Sequence, residues 1–233
     1  MASWQKMREY KLSLPILKNG TINWVYIESL VEEIINSRKN ELNKFFASYG
    51  YSDCSLTDIE RQALTDFSMG NVHMQEKTIK DLFSVVKGKR LTKANMTLGN
   101  TNFIGASETE NGITNRISNS KYIHPGNLIT VTYNGSVGES FYQPYPFWAS
   151  DDVNILYPTE KLSESQSLFF LAPLRKKGKR YAYAFKWAKE IMEQDSIYLP
   201  VTDDGSIDYD FMENYINALK KQCIARLKAS NIF

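Results

Sequence analysis

The chain has 233 residues, of which 42% are hydrophobic and 13% aromatic, and it carries 28 basic against 26 acidic side chains. This composition predicts a globular protein with a sizeable core and excludes a disordered, collagen-like or disulfide-stapled chain. No apolar run approaches the ~18 residues of a membrane span, and the first residues lack the apolar core of a secretory signal, so we expect a cytoplasmic protein. Cys54 and Cys223 lie far apart without metal-type spacing and are expected to be reduced thiols.

The net charge of +2 hides a difference between the middle of the chain and its flanks. Residues 1–70 carry 8 basic and 9 acidic side chains, residues 71–200 carry 16 and 12, and residues 201–233 carry 4 and 5. An anionic partner would therefore meet the middle segment. Many domains with neutral partners carry as large an excess, so charge alone does not select nucleic acid.

The first predicted element is a long amphipathic helix that follows a Leu-Pro segment, a glycine turn and a polar cap. Leu14-Pro15 precedes Gly20, and Asn23 is suited to accept the first free backbone N–H groups of a helix. Apolar residues then recur mostly at three- and four-residue steps as far as Phe46. This spacing predicts a helix of six or seven turns.

A short helix and the central domain follow. Thr57-Asp58-Ile59-Glu60 is a capping-box signature that predicts a helix near Ile59–Phe67, and residues 68–71 are predicted to be a linker. We expect the central domain to begin with a helix over Glu76–Phe83 and to contain a later helix from about Ser165 to Arg175. Between them, glycine and asparagine punctuate short β-type runs, namely Phe83–Val86, Phe103–Ala106, Leu128–Tyr133, Phe141–Gln143 and Val153–Tyr157. The mixture predicts an α+β fold.

The end of the chain repeats its beginning at an offset of 185 residues. Leu199-Pro200, Gly205 and Asp208 occupy the positions of Leu14-Pro15, Gly20 and Asn23, and Met192 that of Met7. A second amphipathic helix follows. Two copies flanking one domain favour a paired helical stem, joined within the chain or between chains, over two independent helices. We therefore divide the chain into an N-terminal helical region and linker (1–70), a largely β domain (71–200) and a C-terminal helix (201–233).

The residues offer little for catalysis or metal binding. His124 precedes Pro125-Gly126 and is assigned a structural or solvent-facing role, and no nucleophile-elbow, zinc-protease, Walker or dinucleotide motif is present. Asp151-Asp152 could in principle hold a metal, but a third ligand is missing and a structural role is favoured. We predict no catalytic residue, no metal and no cofactor.

Two basic clusters are more informative because aromatic and turn residues accompany them. Lysine and arginine bind phosphates, and glycine lets the backbone approach them closely. Amide and hydroxyl side chains such as those of Asn134 and Ser136 could reach base edges in a groove. A solvated charged loop explains either cluster alone, whereas the two together favour nucleic acid. The candidate phosphate-binding residues are Lys87, Lys89, Arg90 and Lys93 in the first cluster, and Lys176, Lys177, Lys179 and Arg180 in the second.

Several segments, in one continuous order over residues 77–219, resemble the target-recognition domain of type I restriction–modification specificity (S) subunits and of related type IIB-like subunits. The segments are Val86–Leu91, Phe103–Ala106, Asn111–Asn115, Ile129–Gly138, Phe147–Val153 and Leu199-Pro200. The loop that holds Asn134 and Ser136 is shared among members that read different sequences, so a turn-forming role and a base-reading role are equally open for these two residues.

The resemblance implies a non-catalytic subunit that reads double-stranded DNA and positions an adenine methyltransferase subunit and a restriction subunit. S-adenosylmethionine would be bound by the methyltransferase. Family members have two recognition domains, each followed by a helix, whereas this sequence has both helices and one domain. The sequence therefore resembles half a subunit, or a subunit whose first recognition domain is absent. We expect it to form a homodimer through a coiled-coil-like stem and to read half of a bipartite target. A non-catalytic scaffold or a silent specificity cassette is the alternative.

Overall fold

The computed structural model of the chain describes residues 11–181 and 185–229, so Met7 lies outside the described residues. The chain forms two compact units. We call Met1–Ser55 with Lys221–Phe233 the terminal unit and Leu56–Lys220 the central unit. None of the helices in the described ranges combines the length and apolarity needed to cross a bilayer.

The terminal unit contains the long predicted helix, α1 (Trp24–Ser48). Asn23 caps this helix, because its side-chain oxygen accepts a hydrogen bond from the backbone N–H of Tyr26 at 3.1 Å. Phe46 is the buried residue of α1, and the ammonium group of Lys228 lies 5.9 Å from the centre of its ring. Most other apolar side chains of α1 are exposed.

The central unit begins with α2 (Asp58–Met69), which starts with the predicted capping box. The Thr57 hydroxyl accepts from the backbone N–H of Glu60, and the Glu60 carboxylate accepts from the backbone N–H of Thr57. Gly70 ends the helix in the left-handed conformation at a φ of 74°.

Nine strands, four further helices and two 3₁₀ turns complete the described part of the chain. In chain order they are β1 (Met74–Thr78), α3 (Ile79–Leu82), β2 (Phe83–Lys87), a 3₁₀ turn (Lys93–Asn95), β3 (Leu98–Ile104), a 3₁₀ turn (Glu110–Gly112), β4 (Ile113–Ile117), β5 (Leu128–Thr132), β6 (Ser140–Gln143), β7 (Phe147–Ala149), β8 (Val153–Pro158), α4 (Glu164–Gly178), α5 (Lys189–Gln194), β9 (Ser196–Pro200) and α6 (Tyr209–Ala229). The strands form three sheets in the orders β1-β9, β2-β8-β5-β6 and β4-β3-β7. The predicted α+β class is confirmed.

The largest core cluster of the central unit lies where the four-stranded sheet packs against the helices. Phe83 on β2, Leu156 on β8 and Phe170 and Leu174 on α4 are buried there, and so is Trp187. Since the strands are fixed by this core, the loops between them are held in defined positions at the surface. The basic clusters lie on such loops and at the end of α4.

The expected helix over Glu76–Phe83 is wrong. Only Ile79–Leu82 is helical, and strands β1 and β2 lie on either side of it. β1 pairs antiparallel with β9, with Met74 opposite Pro200 and Thr78 opposite Ser196. This pairing overrides the local helical pattern, because the backbone groups of Met74–Thr78 find their partners in a strand that is distant in sequence.

The repeat is confirmed at the level of individual hydrogen bonds. In the first copy, the backbone N–H of Asn23 donates to the carbonyl of Pro15 at 2.9 Å, and in the second copy Asp208 donates to Pro200 at 2.9 Å. Isolated bridges join Ile16 to Ile22 and Val201 to Ile207. Gly20 and Gly205 have φ of 83° and 81°. The two segments are therefore one strand–turn–helix module, present twice.

Candidate nucleic-acid interface

The first basic cluster is held against the turn that joins β7 to β8. The backbone N–H groups of Gly88 and Lys89 donate to the carbonyls of Val153 and Ala149, both at 2.9 Å. The indole N–H of Trp148 donates to the Lys89 carbonyl at 2.7 Å. A Cβ on Gly88 would lie 2.0 Å from the Ser150 carbonyl oxygen, so only glycine fits there. This fixed backbone leaves the side chains of Lys87, Lys89 and Arg90 at the surface.

Two of these cations have aromatic or acidic neighbours. The ammonium group of Lys87 lies 4.9 Å from the ring centre of Tyr133, and the tyrosine hydroxyl raises the pKa of Lys87 above its usual value. Arg90 lies 3.6 Å from the Asp151 carboxylate and is 76% exposed, so the ion pair leaves most of the guanidinium accessible. Lys93 is exposed on the 3₁₀ turn that follows.

The Tyr133–Glu139 loop between β5 and β6, which we call the glycine loop, lies beside this cluster. The Tyr133 hydroxyl donates to the Asp151 carbonyl, and the Asn134 amide donates to the Asp152 carboxylate at 2.6 Å. Gly138 has a φ of 86°, a conformation that a glycine adopts without strain. The Thr132 hydroxyl donates to the Ser136 carbonyl, which closes the loop.

The other end of the glycine loop meets the second basic cluster at the end of α4. A Cβ on Gly178 would lie 2.4 Å from the Cα of Gly138, so the two backbones are in direct contact. The Arg175 guanidinium donates to the Ser140 carbonyl from Nε at 3.1 Å and from Nη2 at 2.7 Å. Lys179 and Arg180 directly follow Gly178 in the sequence, and both are exposed. The glycine loop therefore contacts the first cluster at one end and the second cluster at the other.

The predicted residues of the second cluster differ in their surroundings. Lys177 is 15% exposed, because its ammonium group lies 2.8 Å from the Asp195 carboxylate. The same carboxylate accepts hydrogen bonds from Tyr181 and Trp187 at 2.5 and 2.7 Å. Lys177 therefore has a structural partner, whereas its three predicted neighbours are exposed: Lys176, Lys179 and Arg180.

Lys176 and Arg180, like Lys177, also line an apolar cavity of about 620 Å³ in the central unit. The cavity lies between α2, α4, α6 and the β1-β9 sheet, and Phe67, Phe169 and Tyr215 contribute aromatic rings to it. Both cations therefore contact an apolar surface of the central unit. Lys179 does not line the cavity. It is therefore the strongest candidate in the second cluster for a phosphate contact.

Asn134 and Ser136 both lie in the glycine loop, but their contacts differ. The Asn134 amide N–H is engaged by Asp152, and its carbonyl oxygen is buried without a hydrogen-bond partner. A turn-forming contribution of Asn134 is therefore visible in the geometry. Ser136 is half-buried, and its backbone carbonyl accepts the Thr132 hydrogen bond.

Lys121 and Tyr122 were not among the predicted site residues. The Tyr122 ring packs edge-on against Trp148 with centroids 5.4 Å apart, and Trp148 in turn binds the Lys89 backbone. Lys121 is exposed and lies 5.3 Å from the Tyr122 ring centre. The sequence signal that could have indicated these two residues is a lysine-tyrosine pair within a loop of serine, asparagine and glycine.

The remaining polar candidates are His124 and the two cysteines. The His124 ring stacks on Phe147, and its Nδ1 lies 2.7 Å from the Tyr157 hydroxyl; burial lowers the pKa of His124. Cys54 and Cys223 are free thiols. Across residues 11–181 and 185–229, no group of three or more histidine, cysteine or acidic residues is arranged to hold a metal ion.

Comparison with known proteins gives one consistent family. The model of the type I restriction modification DNA specificity domain matches residues 71–229. The type II restriction enzyme specificity subunit S.BcgI from Heyndrickxia coagulans is 34% identical over 225 residues, which cover 95% of this chain and 61% of that protein.

Solved structures show the same fold at low identity. The type I S subunit from M. genitalium gives a TM-score of 0.54 at 16% identity over 84% of this chain and 54% of that one. The HsdS subunit from Thermoanaerobacter tengcongensis gives 0.51 at 15% identity over 87% and 51%. This chain therefore spans between half and two thirds of the length of these relatives.

Proposed function

Because this chain belongs to the type I restriction modification DNA specificity domain family, whose members are the non-catalytic DNA-recognition components of restriction–modification systems, we propose that it recognises a DNA sequence for such a system. One observation carries the proposal. Exposed cations stand at both ends of the glycine loop: Lys87, Lys89 and Arg90 at one end, and Lys179 and Arg180 at the other. Such a surface suits a duplex, because paired strands present two lines of phosphates on either side of a groove.

In this proposal the cations position the DNA and the loops read it. Contacts from lysine and arginine to phosphates fix the register but carry no sequence information, so specificity must come from side chains that reach base edges. The glycine loop lies against Lys87 through the Tyr133 ring, and Tyr122 packs against Trp148, which binds the Lys89 backbone. The candidate base contacts are therefore side chains of these two loops.

We propose that a methyltransferase subunit specific for adenine and a restriction subunit act with this chain, which then needs no active site of its own. S-adenosylmethionine would be bound by the methyltransferase. Because a DNA-recognition component acts on the DNA of the cell, we also propose that the chain is cytoplasmic. A scaffold or silent cassette without DNA selectivity is the less favoured candidate, because it leaves the exposed cations unexplained.

We propose further that two copies of the chain associate through their helices and read the two halves of a bipartite target. The exposed apolar side chains of α1 support association, among them Leu30 and Ile34, which are 42% and 54% exposed. A two-fold pair would place identical central units on symmetric half-sites. A solution mass of one chain, measured by light scattering alone and on DNA, would exclude this arrangement.

The test of the function is selection of duplexes from a randomised library by the purified chain, with and without its cognate methyltransferase. We expect enrichment of one sequence motif and loss of that enrichment when Lys89 and Arg90 are both replaced by alanine. Replacement of Lys44, an exposed lysine of α1, is the matched control. Wild-type protein that enriches no motif under either condition would support the scaffold or silent cassette instead.

A further inference from the structure

The apolar cavity of the central unit has the size and the lining of a small-molecule site. Its volume is about 620 Å³, and it is bounded by α2, α4, α6 and the β1-β9 sheet. Among the residues that line it, Tyr215 packs its ring against those of Phe67 and Phe169, with centroids 4.6 and 5.9 Å apart. Ligand sites in proteins commonly have volumes of about 300–1,000 Å³ and are lined mostly by apolar and aromatic side chains.

The walls of the cavity are joined to one another by contacts within the central unit. The hydroxyl of Ser163, which caps α4, donates to the Glu213 carboxylate on α6. One turn further along, the Ser165 hydroxyl donates to the side-chain oxygen of Asn217 at 2.7 Å. On the opposite side, β1 and β9 form an antiparallel pair. These contacts need no occupant, so a ligand would enter a cavity that already exists.

The charged residues of the lining favour an anion. Lys176, Lys177 and Arg180 belong to the lining, and so does one carboxylate, that of Glu76. The Lys177 ammonium group lies 2.8 Å from the Asp195 carboxylate. In the part of the chain that the structure describes, no ion pair engages Lys176 or Arg180, and both side chains are exposed. The cavity therefore offers two cations without an acidic partner against one carboxylate.

The volume of the cavity favours a small molecule over a segment of a partner protein. An α-helix with its side chains is about 10–12 Å wide and rises about 5.4 Å per turn, so the cavity has room for about one turn. A single turn is too short to form a stable helix by itself. A small molecule can place its whole apolar body in the same volume.

We propose that this cavity binds an amphipathic organic anion, a molecule with an apolar body and one negatively charged head group. The apolar body lies against Phe67, Phe169 and Tyr215. The head group accepts hydrogen bonds from Lys176 and Arg180, which are charge-assisted because both partners are ionised. This binding goes beyond DNA recognition and requires neither DNA nor a partner subunit.

Calorimetric titration of the full-length chain with decanoate tests the proposal. We expect saturable binding of one decanoate per chain, with a Kd of about 100 μM or lower. Hexanoate should bind about tenfold more weakly or worse, because it has a shorter chain to bury. Decylammonium has the same chain as decanoate and the opposite charge, and it should also bind about tenfold more weakly. Absence of saturable decanoate binding, or equal affinity for decylammonium, would overturn the proposal.

Substitutions in the lining locate the bound anion. Lys176→Ala/Arg180→Ala should weaken decanoate binding about tenfold, because both cations are removed. Glu76→Gln should strengthen it, because a carboxylate that repels the head group is removed. Ala172→Trp, at an exposed position of α4 in the lining, should abolish binding by filling the cavity. Lys179→Ala is the matched control: it removes an exposed cation that lies outside the lining and should leave the decanoate affinity unaltered.

Decanoate binding that is equally strong in the wild type, in Lys176→Ala/Arg180→Ala and in Ala172→Trp would contradict the proposal, because the anion would then bind elsewhere. The substituted side chains are exposed, so we expect the variants to fold. Thermal melting without ligand checks this. Decanoate should raise the Tm of the wild type and of Lys179→Ala, and it should leave the Tm of Ala172→Trp unchanged. If Ala172→Trp does not fold, the double alanine variant and Glu76→Gln decide the matter.

The readouts separate this proposal from the proposed function. Decanoate binding is measured without DNA, so it can succeed in a chain that selects no sequence. Motif enrichment is tested through Lys89 and Arg90, which do not line the cavity, and it can succeed in a chain that binds no decanoate.

Discussion

Gly138 and Gly178 touch each other through their backbones, and this contact joins the glycine loop to the last turn of α4. A Cβ on either residue would lie 2.6 Å or less from the Cα of the other, a distance that side-chain rearrangement cannot relieve. The glycines are thus required by the approach of two chain segments. We therefore expect the loop and the second basic cluster to keep their relative position.

We predict that Gly178→Ala destabilises the chain by about 1–3 kcal/mol, because the added methyl group must push the loop away from the helix. The free energy of unfolding in urea measures the effect. Lys176→Ala, at an exposed position of the same helix, should change it by less than about 0.5 kcal/mol. Equal effects of the two substitutions would mean that the loop is free to move.

The cations of the first cluster should contribute to DNA affinity in a salt-dependent way. We predict that Lys89→Ala/Arg90→Ala lowers affinity for duplex DNA and reduces the slope of log K against log salt concentration by up to about 2, one for each phosphate that the variant no longer neutralises. Titrations at several salt concentrations measure both quantities. An unchanged slope would remove these side chains from the interface, and Lys44→Ala should leave slope and affinity unaltered.

The hydrogen bond between Asn134 and Asp152 predicts an order among substitutions in the glycine loop. Asn134→Asp places two carboxylates where a hydrogen bond of 2.6 Å now stands, so it should destabilise the chain more than Asn134→Ala at pH 7. Urea unfolding of both variants at pH 7 tests this order.

Ser136→Ala serves as the control in that series, because the Thr132 hydrogen bond uses the backbone carbonyl of Ser136 and not its hydroxyl. We expect this variant to unfold with nearly wild-type free energy. A marked loss of DNA affinity in Ser136→Ala without a loss of stability would instead assign the hydroxyl to the DNA.

Tyr181 predicts a loss of stability at high pH. Burial, together with the hydrogen bond to Asp195, raises the pKa of Tyr181 to about 12, above its usual value near 10. The unfolded chain releases the phenol proton at a lower pH than the folded chain does. The stabilisation that comes from protonated Tyr181 is therefore complete below about pH 10 and is lost as the pH rises towards 12. Tyr181→Phe should remove this part of the decline. Absorbance of tyrosinate, compared between the two proteins across this range, tests the assignment.

The repeat allows a matched pair of core substitutions. Leu199→Ala should cost about 2–5 kcal/mol, because Leu199 is fully buried, whereas Leu14→Ala should cost less than about 0.5 kcal/mol in the isolated chain. Chemical denaturation of the two variants measures the difference. Similar losses at both positions would show that the first copy is already covered in solution.

The helices could be predicted because their signals are local. Asn23 and Thr57 cap their helices as their side chains suggest, and the capping contacts lie within three residues. The strand over Met74–Thr78 could not be predicted in this way, since its sequence, Met-Gln-Glu-Lys-Thr, lacks an alternating apolar pattern. Its backbone groups pair with β9, and no sequence pattern near Met74 indicates this pairing.

The site was predictable in its residue types but not in its arrangement. Basic residues with glycine suggested both clusters, yet their meeting at opposite ends of one loop depends on the Gly138–Gly178 contact. Lys177 could not be distinguished from Lys176 and Lys179 in sequence. Only the fold turns its ammonium group towards Asp195, where Tyr181 and Trp187 also converge.

The pairing of β1 with β9 also sets the order in which the central unit can form during synthesis. β1 is made about 120 residues before its partner, and closing so long a loop is slow compared with local helix formation. A ribosome-bound chain that ends before β9 therefore has an unpaired strand and an uncovered core. The central unit therefore completes its fold only after β9 has emerged, and aggregation of the nascent protein is most favoured in the interval before that.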